Sequence, residues 1–199
     1  MTNDFKAEKR VATILFCDIR NFTNLFDDED PLKAVHFANT VLAELGEEVE
    51  KQGGKVDRFT GDGFLAHFGI ANDTANHVGD ACEAALRMRG ALQNINAARY
   101  LDVQQVVTAG IGIHTGTVAV GEISTNHIKQ TTVLGDVVNT TARIEQLTKY
   151  FSVDVLLSEQ SYKRVKKEFQ FKKMPPKKIK GKRKEVTTWW LLPMNDMND

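Results

Sequence analysis

The chain has 199 residues, with 26 Lys and Arg against 26 Asp and Glu and 42% hydrophobic residues, proportions that exclude a disordered or low-complexity protein. The zero net charge is unevenly spread: residues 163–185 carry twelve basic and two acidic side chains, so neutrality excludes a uniformly basic protein but not an anionic ligand. No run approaches the roughly 20 apolar residues of a membrane-crossing helix. The start MTNDFKAEKR lacks an apolar signal core, and Cys17, Cys82 and five scattered His form neither a disulfide framework nor a zinc spacing, so the expected setting is cytoplasmic.

Val11–Asp18 (VATILFCD) is a nearly continuous apolar run and reads as a buried strand. Asp30-Pro31 opens a helical pattern with Val35, Ala38, Val41, Leu42, Leu45 and Val49 at helical spacing, ending near Gly53-Gly54. Val56–Phe59 and Phe64–Phe68 flank Gly61-Asp62-Gly63 and read as a hairpin. A second helix is expected over Ala75–Ala97. Val106–His114 and Val118–Ile123 read as a hairpin turning at Thr115-Gly116. A strand at Thr131–Leu134 then leads into a helix over Asp136–Tyr150. Val153–Leu157 reads as a strand, followed by a short helix from Ser158. After the basic stretch comes a last strand, Val186–Leu192.

The order strand, helix, hairpin, helix, strand predicts an α/β (α+β) fold with a ferredoxin-like βαββαβ core. Its sheet is mainly antiparallel, flanked by helices and extended on the C-terminal side. With no internal repeat or linker, one domain is expected over residues 8–192, with 1–7 and 193–199 as frayed termini.

Asp18 ends the first strand, and Asp62 sits in the turn of the hairpin that a ferredoxin-like sheet places beside it. Such a like-charged pair is costly without a cation, and two Mg²⁺ or Mn²⁺ ions would relieve it through hard oxygen ligands. The alternative is ordinary: Asp is a common strand-end cap, and Gly-Asp-Gly a common turn. After Asp18 the chain turns through Ile19-Arg20-Asn21-Phe22-Thr23 toward a short helix, whose first backbone N–H groups can hold phosphate. On the helix from Asp136, Asn139 and Arg143 are four apart and share a face. That face could meet phosphate and ribose; the ordinary alternative is a helix with a surface Arg paired to an acid.

Four segments carry a resemblance: VATILFCDIRNFT (11–23), GGKVDRFTGDGFLAHFG (53–69), AGIGIHTGTVAVGEI (109–123) and TTVLGDVVNTTARIEQL (131–147). Together they resemble the class III nucleotidyl cyclase catalytic domain, the family of adenylate and guanylate cyclases. The resemblance implies a head-to-tail dimer with active sites at the interface, and a homodimer would build two equivalent sites. It implies that Asp18, Asp62 and the backbone carbonyl of Ile19 bind two divalent cations, and that the amides of Asn21, Phe22 and Thr23 hold phosphates. From the partner subunit, Asn139 would orient the ribose and Arg143 would stabilise charge on the α-phosphate.

Adenylate cyclases of this family typically place Lys four residues before the second metal Asp. Here that position is Arg58, and the companion position, three before Gly135, is Thr132. Thr can serve either purine and Arg suits acceptors on both, while the Glu/Cys pair expected of typical guanylate cyclases is absent. ATP is the expected substrate and GTP the alternative. In Lys177–Lys184 (KKIKGKRK), the Lys180-Gly181 step best fits the family's triphosphate-contacting Lys, while most of the basic stretch reads as a solvated face. No interleaved aromatic pattern supports nucleic acid as a partner. A regulatory domain upstream in a longer signalling protein is expected. The competing reading is a non-catalytic cyclase-like module that dimerises or binds nucleotide; the acid pair of a diguanylate cyclase turn is missing.

Overall fold

The computed structural model describes residues 7–22, 30–70, 74–100, 106–124 and 129–193. The strands are β1 (Ala7–Ile19), β2 (Lys55–Phe59), β3 (Gly63–Phe68), β4 (Ala109–Ser124), β5 (Lys129–Leu134), β6 (Val155–Ser158), β7 (Phe171–Lys173) and β8 (Thr188–Leu191). The helices are α1 (Pro31–Lys51), α2 (His77–Tyr100), α3 (Asp136–Phe151) and α4 (Glu159–Val165). The sheet runs β2-β3-β1-β4-β6-β8-β7, with β5 on the far part of β4. Its first four strands stand in the expected ferredoxin-like order. Only the β4–β6 pairing is parallel among the described strands.

From Ala12 to Cys17, β1 is almost continuously apolar because both its faces are covered there. Leu15, Cys17 and Ile19 pack with Val41 and Leu45 of α1 and Met88 of α2. Ala12 and Ile14 face the other way, toward Leu65, Val118, Val133 and Val137. Asp18 shares the parity of Ile14 and therefore the α3 side of the sheet. Asp30 caps α1 by accepting from Leu32 N–H at 3.0 Å, with Pro31 at the first helical position.

The expected hairpin at Thr115-Gly116 is not a turn. β4 runs unbroken from Ala109 to Ser124 and pairs with β1 from end to end, Gly116 standing opposite Ala12. Gly116 is required by packing: a Cβ there would lie 2.8 Å from Val137 Cγ2 on α3. Thr115 is buried, its Oγ1 2.9 Å from both Thr13 Oγ1 and Ser161 Oγ. The hairpin is instead β4–β5.

Smaller differences follow burial. β1 begins at Ala7, a residue expected to fray, because the far half of β4 pairs with it. The last strand shortens to Thr188–Leu191, with Val186 held in an isolated bridge to Lys177. β7 forms inside the basic stretch, where Phe171 makes an edge contact with Tyr162. The termini expected to fray otherwise lie outside the described residues, apart from Pro193.

Candidate active site

The register of β1 brings the two aspartates together. Asp18 pairs with Gly63 on β3 and Gly110 on β4. Thr60 N–H donates to Gly63 O at 2.9 Å to close the turn, and Ile19 N–H donates to Asp62 O at 2.9 Å to pin that turn to β1. The two carboxylates come within hydrogen-bonding reach; burial first, then the charge of Asp62, pushes Asp18 up to about 6. A side chain at Gly63 would collide with the carbonyl of Cys17 and stand 3.0 Å from Asp18 Oδ1, so glycine keeps this corner open. Two carboxylates and the adjoining Ile19 peptide are a donor set suited to Mg²⁺ or Mn²⁺. No cluster of three or more His, Cys, Asp or Glu able to hold a metal occurs among the described residues. The remaining ligands of a bound cation would therefore come from elsewhere.

Next to this corner, Asn21 adopts a left-handed φ of 54° in the turn that leaves β1, a conformation Asn tolerates better than most residues. Phe22 follows, its ring stacked on Phe37 with centroids 6.3 Å apart. Thr23 lies outside the described residues.

Arg58 and Thr132 meet. Arg58 Nη1 donates to Thr132 Oγ1 at 3.1 Å and to Asp57 Oδ2 at 2.8 Å. Adjacent residues on a regular strand face opposite ways, but the register shifts between Val56 and Arg58, and this bulge turns Asp57 and Arg58 toward each other. Thr132 arrives on the β4–β5 arm, whose Val133 packs with Ile14 and Leu65.

Helix α3 presents two faces. Val137, Thr141, Ile144, Glu145 and Thr148 are buried toward the sheet. Asn139 and Arg143 sit two positions from Thr141 and from Glu145, about 200° around the helix, and point away from the sheet. Neither makes a hydrogen bond or ion pair with any described residue. Asp18 and Asp62 therefore converge with each other but not with Asn139 and Arg143 of the same chain. Lys180 is exposed on the segment that crosses α3, one residue before Gly181, which lies against the Arg143 guanidinium.

The model of the adenylate and guanylate cyclase catalytic domain matches residues 6–193. The chain belongs to this cyclase family. It is 37% identical over 158 residues to an adenylate cyclase of Anabaena cylindrica, covering 77% of this chain and 30% of that protein. It is 33% identical over 149 residues to the terminal-differentiation-specific adenylate cyclase of Dictyostelium discoideum, covering 74% of this chain and 7% of that protein. Among solved structures, the guanylyl cyclase Cya2 superposes with a TM-score of 0.86 at 26% identity, covering 97% of each chain. The cyclase domain described here thus spans less than a third of either relative, and proteins named for each of the two activities resemble it.

Two acids of this cyclase domain stand at the site without a motif to mark them. Glu145 is buried on α3; burial first, then the charge of Asp18, pushes it up to about 7, with Arg20 opposing. Its signal in the sequence is an acid on the sheet-facing side of an amphipathic helix. Asp57, whose side chain is only 3% exposed, holds Arg58. Burial raises its carboxyl against the opposing charge of Arg58.

Proposed function

We propose that this cyclase domain converts ATP to 3′,5′-cyclic AMP and pyrophosphate at the interface of a homodimer, within a longer signalling protein. The observation that carries the reading is the meeting of Asp18 and Asp62 at the open end of β1, while Asn139 and Arg143 of the same chain face away. A second copy is what would bring the two sets together.

In this reading the carboxylates of Asp18 and Asp62, with the Ile19 carbonyl, hold two divalent cations, Mg²⁺ or Mn²⁺. Such cations, when bound, lower the pKa of the attacking hydroxyl and neutralise phosphate charge. The amides of Asn21, Phe22 and Thr23 hold phosphate oxygens, and Lys180 meets the triphosphate. The partner's copy of Asn139 orients the ribose, so that the 3′-oxygen bonds to the α-phosphorus as the bond from that phosphorus to the departing pyrophosphate breaks. Arg143 stabilises the charge that builds on the α-phosphate. No side chain is assigned as a dedicated base, and the proton of the 3′-hydroxyl leaves to solvent water.

Arg58 and Thr132 read the purine. ATP is supported by the adenylate cyclases among the relatives and by the absence of a Glu/Cys pair at these two positions. The greater length of the relatives supports regulatory segments elsewhere in the protein. A cytoplasmic setting accords with the fact that no helix of the described residues is long and apolar enough to cross a membrane. The test is incubation of the purified dimer with ATP or GTP and Mg²⁺ or Mn²⁺, with products identified by mass spectrometry. Cyclic AMP is expected; cyclic GMP alone would make the chain a guanylate cyclase, and no cyclic product would leave the non-catalytic module.

A further inference from the structure

The basic stretch lies along α3. Lys177 Nζ stands 3.8 Å above the ring of Tyr150 near the C-terminal end of that helix. Ile179 packs with Ile144, Leu147 and Leu156 midway. Gly181 lies against Arg143, and Lys182 Nζ reaches Asp136 Oδ2 at 2.5 Å at the helix start. Four contacts in six residues run antiparallel to α3, and the Lys177–Val186 bridge closes the loop behind them.

Gly181 is the tightest point. Its φ is +77°, a region that L side chains rarely adopt, and an ideal Cβ there would stand 2.8 Å from Arg143 Nη1 and 3.3 Å from Cζ. Arg143 itself is half-buried and has no hydrogen bond or ion pair with any described residue. Long side chains lose rotamer freedom when fixed, so an unfixed one must be held by its surroundings to point one way. Among the described residues no hydrogen bond fixes the guanidinium, and the backbone of residue 181 walls it on one side.

We infer that residues 177–186 form a brace that aims Arg143, with Gly181 as its positioning residue and the Lys182–Asp136 pair as its tie to α3. The inference rests on the role given to Arg143 under the proposed function. It also assigns the basic stretch a task distinct from the triphosphate contact of Lys180: to hold a partner-facing cation ready for the transition state. A displaced Arg143 loses charge stabilisation in the transition state more than ground-state binding, so the loss falls on kcat rather than KM.

The experiment uses the full chain and the variants Gly181→Ala, Lys182→Ala, Asp18→Ala and Arg143→Ala, with thermal melts to confirm folding. Gly181→Ala is expected to lower kcat about tenfold or more with KM changed little, and Lys182→Ala to do the same to a smaller degree without backbone strain. Mixed with Asp18→Ala, Gly181→Ala should regain activity, because one interface then has intact carboxylates from one chain and an intact brace from the other. Mixed with Arg143→Ala it should show no gain over its own residual activity, since both then damage the same half-site. Wild-type kcat in Gly181→Ala, rescue by Arg143→Ala, or no rescue by Asp18→Ala in proven heterodimers would each overturn the brace. If the wild-type chain makes no cyclic product, the proposed function fails, yet the brace is still tested. The Arg143 Nε–H NMR signal, assigned by its loss in Arg143→Ala, must shift in Gly181→Ala, and an unmoved signal would overturn it.

Discussion

Arg58 Nη1 donates to Thr132 Oγ1 at 3.1 Å, joining two residues 74 apart in sequence through the β4–β5 arm. Asp57 holds the same nitrogen at 2.8 Å, so the guanidinium is oriented before any ligand arrives. A forked donor on a fixed base discriminates better than a free one. Arg58→Ala should lower kcat/KM for the accepted nucleotide about 10- to 100-fold, the worth of a hydrogen bond to a charged group, and narrow the ratio between ATP and GTP. Steady-state kinetics with both nucleotides checks this. An unchanged ratio would remove Arg58 from purine reading.

Asp18 makes the metal-free fold pH-sensitive. Burial and Asp62 raise its carboxyl from 3.8 to about 6, so the folded state holds the proton more tightly than the unfolded state does. The stability this confers is fully present below about pH 4 and is lost as the pH rises through about 6. Asp18→Asn should therefore gain more in melting temperature over wild type at pH 8 than at pH 4, both in chelator. Equal gains at the two pH values would contradict the coupling.

Cation binding should reverse that penalty. Mn²⁺ added at pH 8 is expected to raise the melting temperature of the wild-type chain, by the equivalent of about 2.7 kcal/mol at 100 times its dissociation constant. The shift should vanish in Asp18→Asn and in Asp62→Asn. A full shift in both variants would locate the cation elsewhere.

The C-terminal strands depend on a separate polar anchor. Arg89 on α2 meets Asp154 at 2.5 and 3.0 Å and donates to Leu191 O at 2.8 Å, while Trp190 Nε1 donates to Asp154 at 2.9 Å. Burial would raise the Asp154 carboxyl, but the Arg89 hydrogen bonds and charge outweigh it and hold it below its usual value. Arg89→Ala should cost about 1–3 kcal/mol, measured by denaturant unfolding, and loosen the strand that follows the brace. A loss within a few tenths of a kcal/mol would show the anchor to be dispensable.

Much of the site was legible because its signals are local. An apolar run ending in Asp18 and a glycine-flanked Asp62 announce their elements, and ferredoxin-like order alone makes those elements neighbours. Helical spacing likewise put Asn139 and Arg143 on one face. What stayed hidden depends on contacts across the fold. Thr115-Gly116 has turn composition, yet its glycine answers to Val137 on another element. Asp57 points at Arg58 only because the strand bulges there. Glu145 is an acid on a buried helix face, which periodicity reads as an exception rather than as a third charge behind Asp18. Most basic side chains of residues 163–185 are exposed, as a solvated face requires, and charge alone says nothing of Gly181 lying against Arg143.

In the proposed function two half-sites carried by one chain are completed by a second copy. That arrangement is tested by mixing Asp18→Ala with Arg143→Ala, each expected to be inactive alone, and following cyclic AMP formation from ATP with Mn²⁺. The mixture is expected to regain activity through one intact site per heterodimer; a mixture that stays inactive although heterodimers form would rule out the shared interface site.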